Sequence, residues 1–184
     1  MKNKLLKRYS LIGFAALLAA LSAFGQEHQW AGRTLDDLEW TIHEKLAVLP
    51  SHGVFDTVRF EVQGNSVTLS GWVVIESVKQ NAERAVRQIN GVQKVANTIE
   101  VLPVSHRDDA LRTNVYRAIY EQQPLDKYGT REAPPIHIIV KNGWVSLEGV
   151  VDSDADRSLV HLRVLGVTSH VSDNLRVSRA ITPG

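Results

Sequence analysis

The residues best suited to chemistry include an acidic run, Asp152-Ser153-Asp154-Ala155-Asp156, which has the D-x-D-x-D opening of a calcium loop. Such a loop needs glycine at its sixth position and a bidentate glutamate at its twelfth. Here those positions hold Arg157 and Arg163, so the ligand that closes the shell is missing. Aspartates at the start of a helix, favoured by its dipole, account for the run equally well. The 7 histidines form neither H-x-x-x-H nor H-E-x-x-H, the spacings that present two rings on one helical face. There is no cysteine, and with it go thiolate metal sites, disulfides and a cysteine nucleophile. Ser105, His106 and Asp108 name the groups of a hydrolytic triad. Groups so close in sequence rarely assemble its geometry, and a loop entering a helix cap explains them. No catalytic residue, metal or cofactor is expected.

Binding chemistry is better represented. Arg112, Tyr116 and Tyr120 recur every four residues with Arg117 beside them, and the following stretch QQPLDKYGTREAPP adds Lys127, Tyr128 and Arg131. Tyrosine at headgroup level and arginine on phosphate suit an anionic phospholipid surface. Glu121, Asp126 and Glu132 dilute the charge, which falls short of the cluster of about 4–8 basic residues that marks strong lipid recognition. A solvated helix edge followed by a loop is the plainer reading.

The elements that carry these residues come from a unit written twice. Val67, Leu69 and Gly71 match Val145, Leu147 and Gly149 at an offset of 78 residues, while Leu38 and Ile42 match Leu111 and Val115 at 73. Gly91-Val92 matches Gly166-Val167. In the first copy, Asp36 and Asp37 open a helix with Leu38, Ile42 and Leu46 on one face. Val58, Phe60 and Val62 alternate with Arg59 and Glu61 as a half-buried strand does. Gly64-Asn65 turns into a second strand, Ser66 to Val73, and a helix from Ile75 to Ile89 ends at Asn90-Gly91. Val95 to Leu102 is a third strand. The second copy repeats the order, with Asn142-Gly143 as its hairpin turn, Ser153 as a helix cap, Gly166 as that helix's end and Val171 to Val177 as its last strand. The fold class predicted is α+β: two α-β-β-α-β repeats, each a small three-stranded mixed sheet with two helices on one face. Units of this size bury little core alone, and the five-residue link favours contact between them.

Gly71 and Gly149 lie in line with inward valines and leucines, which suggests a structural glycine where a helix backbone approaches the sheet. Trp72 and Val74, with Ile139, Trp144 and Val150, point the other way. Together they make an apolar face that a soluble monomer usually covers. Packing of the repeats on each other would cover it, as would docking on a lipid surface or on another protein.

With V-x-L-x-G on its second strand and G-V-x-x-V-x-N (Gly91, Val92, Val95, Asn97) near its end, the unit resembles the BON domain, the bacterial OsmY and nodulation domain. The resemblance covers 35–102 and 108–178, nearly all of the chain that follows its first 25 residues. The second copy departs from it, with an extra residue after Val167 and Asp173 where Asn97 falls. The resemblance implies a non-enzymatic, OsmY-like periplasmic envelope protein, tied to osmotic or envelope stress and to phospholipid surfaces.

The first 25 residues read as a signal peptide. Lys2, Lys4, Lys7 and Arg8 precede the apolar run Leu11 to Leu21, and Ala23-Phe24-Gly25 supplies small residues before a cut at Gln26. That run is shorter than the about 20 residues a spanning helix needs. Removing these four of 21 basic residues, and none of the 20 acidic ones, takes the net charge from +1 to −3. A mildly acidic exported chain lacks the basic footprint of nucleic-acid binding. The absence of G-x-x-G after the signal removes the clamp of a KH-type RNA-binding domain. Without cysteine there is no lipoprotein anchor, so the expected partner is an anionic phospholipid surface met peripherally, or another envelope protein.

Overall fold

The structure, a computed structural model, describes residues 35–178 apart from Glu132. The segment read as a signal peptide lies outside the described residues. Two repeats follow in the order helix, strand, strand, helix, strand. The first comprises α1 (Leu35–Ala47), β1 (Thr57–Gln63), β2 (Ser66–Val73), α2 (Glu76–Arg87), β3 (Lys94–Asn97) and β4 (Glu100–Val101). The second comprises α3 (His106–Tyr120), a short 3-10 helix (Leu125–Tyr128), β5 (Ile136–Lys141), β6 (Trp144–Val151), α4 (Asp154–Leu165) and β7 (Val171–Val177). In each, a tight hairpin pairs the first two strands antiparallel, and the strand after the second helix returns parallel to the middle one. The α+β class and the mixed sheets are as the alternation predicts.

The first sheet differs in detail. Its parallel strand is broken into β3 and β4, both paired with β2. At the break, the Thr98 N–H and hydroxyl both donate to the Leu69 carbonyl, at 2.8 and 2.7 Å. Asn97 holds this corner by donating to the Lys79 carbonyl and Glu83 of α2 while accepting from the Ile99 N–H. In the second repeat Asp173 accepts from the Leu175 N–H in the same manner. Lacking an amide donor, it is tied to α4 by Arg157 at 3.0 Å instead. The change of residue type therefore keeps the anchor and reverses its polarity.

Each repeat has its own core. Leu38, Ile42 and Leu46 of α1 and Val78, Ala82 and Val86 of α2 meet Val67, Leu69 and Val73 of β2. Val115, Ile119, Val160 and Val164 meet Ile138, Val145, Leu147 and Val151 in the second. Side chains this buried contribute about 1.5–3 kcal/mol each. Helix α3 starts two residues ahead of the predicted aspartate pair. Its cap is Ser105, whose hydroxyl accepts from the Asp108 N–H.

The glycines of V-x-L-x-G are held by a different neighbour from the one their face suggests. Gly71 and Gly149 have φ of +125 and +116. A Cβ would stand 2.0 Å from the Thr57 carbonyl oxygen and 1.9 Å from that of Pro135. The nearest atoms all belong to the adjoining strand and its entry, not to a helix. Gly166, at the end of α4, has φ −67, a conformation open to any residue. Gly91 has φ +104 but lies beyond the cap of α2 at Gln88.

Candidate interaction surfaces

The basic and aromatic stripe on α3 turns inward. Asp108, Arg112, Tyr116 and Tyr120, each four residues apart, lie along the free edge of β5. Both carboxylate oxygens of Asp108 accept from the hairpin turn, from the N–H groups of Asn142 at 2.9 Å and Gly143 at 2.8 Å. Arg112 donates to the Val140 carbonyl at 2.7 Å and pairs with Asp109. The Tyr120 hydroxyl donates to the Ile136 carbonyl at 2.5 Å, and burial pushes its pKa up. Arg112 is 3% exposed and Tyr120 5%. An open strand edge invites pairing with other chains, and this stripe closes one. Arg112 and Tyr120 are thus unavailable to a lipid surface, a correction to the reading from their spacing. Tyr116 is half-buried and Arg117 is exposed.

The stripe leaves the Ile138 N–H uncovered, and the first repeat fills that place. The Val54 carbonyl accepts from Ile138 at 2.7 Å. Phe55 lies edge-on to Tyr116 with centroids 6.2 Å apart. Both residues pack on the core of the second repeat. Asp56 stiffens the donated segment by accepting from the N–H groups of Gly53 and Val74.

The long loop after α3 is likewise anchored. Tyr128 is fully buried; its hydroxyl donates to Asp156 and accepts from the Asp152 N–H, both at 2.8 Å. Lys127 pairs with Asp156 at 2.8 Å and Arg131 with Asp152 at 2.7 Å. Both cations lie over the Tyr128 ring. Arg131 and Lys127 hold the two carboxylates below the usual range. The aspartates that resemble a calcium loop therefore clamp the 3-10 helix to α4. Among the described residues, no group of three histidine, aspartate or glutamate side chains is placed to hold a metal.

The faces of the two sheets turned away from the helices look at each other across an open cleft of about 810 Å³. Apolar packing of one face on the other is one of the arrangements the sequence suggests; the cleft is instead lined by Arg59, Ser146, Glu148, Asn174 and Arg176 as well as by Trp72 and Val58. Trp72 is half-buried there, with the Arg59 guanidinium 5.3 Å from its ring. Arg59 also faces Glu148 at 3.8 Å, and Lys141 pairs with Glu100 across the repeats. Trp144 stays outside. It is 60% exposed, and its ring lies 4.8 Å from that of His170.

At the inner end of the cleft the rings of His52 and His137 are 5.9 Å apart. Nε2 of His52 and Nδ1 of His137 are buried without partners. Burial pushes both pKa values below the ordinary 6.5, although Asp56 opposes this at both rings. The unfolded chain therefore takes up protons in the usual histidine range while the folded chain does not. Stability then falls as pH drops through about 6.5 toward the lower folded values. The depressed pKa values of Asp152 and Asp156 act further down, since their stabilisation is present above the usual carboxylate range and is lost as pH falls through their folded values. A thermal midpoint that declines between pH 7 and pH 5, and a flatter profile in the His52→Gln/His137→Gln double variant, are expected. Equal slopes in the two proteins would count against this pair.

The family model described as "BON domain" matches twice, over residues 38–103 and 107–179. No curated protein matches. Among solved structures, the chain is similar to CdsD, described as a structural protein of the type III secretion system of Chlamydia trachomatis. Identity is 16% and the TM-score 0.32, over 77% of this chain and 61% of that one. A structure of the C-terminal domain of CdsD is similar at 14% identity and a TM-score of 0.30, over 78% of this chain and 63% of that one. The chain thus spans about three fifths of each. The two matched regions carry the repeated helix–strand–strand–helix–strand unit through nearly all of the described chain, and the protein belongs to the BON-domain family, with two copies of the domain in tandem.

Proposed function

We propose that this chain is a non-enzymatic protein of the bacterial envelope, exported to the periplasm, that lies peripherally on anionic phospholipid and supports envelope integrity under osmotic or other stress. The observation that carries the reading is the rim around the β5–β6 turn. Trp144, 60% exposed, stands there beside His170. Lys141 is its strand partner. Arg107 is exposed one residue before the Asp108 that holds the turn. Val104, nearby in the link, is 96% exposed. An exposed tryptophan with basic side chains close to its turn, Arg107 and the Glu100-paired Lys141, suits the boundary between headgroups and acyl chains. Arg117, exposed on the same repeat, adds to the attraction for an anionic surface, whereas Lys127 and Arg131 are already paired with Asp156 and Asp152.

Docking of another envelope protein through the Trp72 and Trp144 faces is the weaker reading, because Arg59 covers the Trp72 ring and the cleft walls it in.

The test is flotation with vesicles of equal parts phosphatidylglycerol and phosphatidylcholine, beside vesicles of phosphatidylcholine alone. Association at low salt with the anionic vesicles, weakening as ionic strength rises, is expected. Trp144→Ala should weaken it about tenfold, corresponding to roughly 1.4 kcal/mol of lost burial. No association at low salt would remove the function. Unchanged association of the variant would move the contact off this rim.

A further inference from the structure

The two repeats treat equivalent strand edges in opposite ways. In the second, the outward groups of β5 are engaged: the Ile136 carbonyl by Tyr120, the Ile138 N–H by the Val54 carbonyl and the Val140 carbonyl by Arg112. Their counterparts in β1 are Val58, Phe60 and Val62. The hairpin closes on the pair Gln63 and Ser66, so alternation turns the N–H and carbonyl groups of these three residues away from β2. Among the described residues none of these outward groups has a hydrogen-bond partner. The three side chains pack on the core of the first repeat and stay half-buried, whereas Ile136, Ile138 and Val140 are each 0% exposed.

The stripe of α3 that covers the β5 edge has no chemical equivalent on α1. At the 73-residue offset, Asp108, Arg112, Tyr116 and Tyr120 correspond to Leu35, Glu39, His43 and Ala47. All four are exposed, and among the described residues no hydrogen bond joins them to β1. A bare strand edge of this kind is a template for another strand.

The residues along the edge indicate which strand. Thr57–Gln63 reads TVRFEVQ, with a basic and an acidic residue placed symmetrically about Phe60. Turned antiparallel on itself with Phe60 at the centre, it sets Phe60 opposite Phe60 and Val58 opposite Val62. These are the residues whose backbone groups point outward, so each pair exchanges both of its hydrogen bonds. Arg59 then stands opposite Glu61 on each side of the centre, at the closer spacing of a non-hydrogen-bonded pair. Both side chains are exposed. The neighbouring registers that keep the backbone bonds put Arg59 opposite Arg59, or Glu61 opposite Glu61. Like charges directly opposite are destabilising, so charge selects the register centred on Phe60.

We propose that this edge receives the same edge of a second copy, giving a two-fold dimer in which the first sheets join through paired β1 strands. The contact is self-complementary, as a two-fold axis requires. Val58, Phe60 and Val62 of both copies lie on the helix side of the joined sheet, where each row covers what the other leaves half-buried. This surface is separate from the Trp144 rim and stands or falls independently of lipid binding.

The test uses Arg59→Glu and Glu61→Arg, each made singly. By sedimentation, the unaltered protein should show a monomer–dimer equilibrium. Its Phe60 amide should exchange more slowly as concentration rises, which places the contact on β1. Each variant alone sets like charges opposite one another at both positions and should associate more weakly by about tenfold or more. Mixed in equal amounts, the two variants restore opposite charges at both positions, and the mixture should dimerise nearly as the unaltered protein does. That rescue separates charge pairing from the loss of the Arg59 contacts with Glu148 and the Trp72 ring, which mixing does not repair. A protein that stays monomeric up to millimolar concentration would overturn the proposal. That is the result if Ala133, Pro134 and Pro135, which line a groove with Val58 and Phe60, keep a second copy off. A dimer in which Phe60 exchange is indifferent to concentration would overturn it too, as would a mixture that associates no more tightly than either variant alone.

Discussion

Gly149→Ala is expected to destabilise the protein by about 3 kcal/mol or more, combining a strained backbone with overpacking against a fixed neighbour. Its φ of +116 disfavours any residue with a Cβ. The added carbon would lie 1.9 Å from the Pro135 oxygen. That oxygen cannot withdraw cheaply, because it accepts from the Val150 N–H at 3.1 Å, next to the glycine itself. Gly71→Ala meets the Thr57 oxygen at 2.0 Å and should behave alike. The control is Gly143→Ala in the hairpin turn, where φ is +79 but nothing lies within 4 Å of the added carbon. There only the backbone strain remains, about 1–3 kcal/mol. Urea midpoints of the three variants check the ranking, and a Gly149→Ala loss no larger than that of Gly143→Ala would refute the steric argument.

Asp108→Ala should cost about 2–4 kcal/mol, because it strips the acceptor from two backbone N–H groups that one carboxylate satisfies. Asp108 is 2% exposed, so water cannot simply replace it. Asp108→Asn distinguishes this role from one of charge or size. An amide offers one oxygen in place of two, and its NH₂ would face an N–H. The asparagine variant should therefore lose stability too, by roughly 1–3 kcal/mol for the unmatched group. Faster amide exchange confined to Asn142 and Gly143 would accompany the loss. Full stability of the asparagine variant would show that the carboxylate does not hold the turn.

How far the sequence carries is seen best on α3. The spacing of Arg112, Tyr116 and Tyr120 marks one helical face, and that much is right. What spacing leaves open is which way the face looks, since a helix edge beside the buried stripe can meet solvent or the rim of a sheet. Here the clue was Asp108, one turn earlier on the same line. An acid, a guanidinium and a phenol at four-residue intervals offer both acceptors and donors, which suits a strand edge better than an anionic surface. The V-x-L-x-G strands were legible because alternation and turn residues are local. The reason for their glycines was not, since it depends on the carbonyl of a residue across the ladder. The break at Thr98 and the 3-10 helix at Leu125–Tyr128 also depend on distant partners, Leu69 in one case and Asp156 in the other. The donated segment was hidden for a related reason. Val54-Phe55 sits in a short connection between α1 and β1, and nothing nearby announces that its carbonyl belongs to another repeat.

That donation gives the chain a polarity. One repeat extends a hand and the next is shaped to take it, while the reciprocal stretch, Ala133-Pro134-Pro135, carries two residues without an N–H and no ring comparable to Phe55. The halves are therefore not interchangeable beads, for all their common ancestry of pattern. Transposing them would bring together two surfaces that lack each other's complement, and the order of the duplication has become part of what the molecule is.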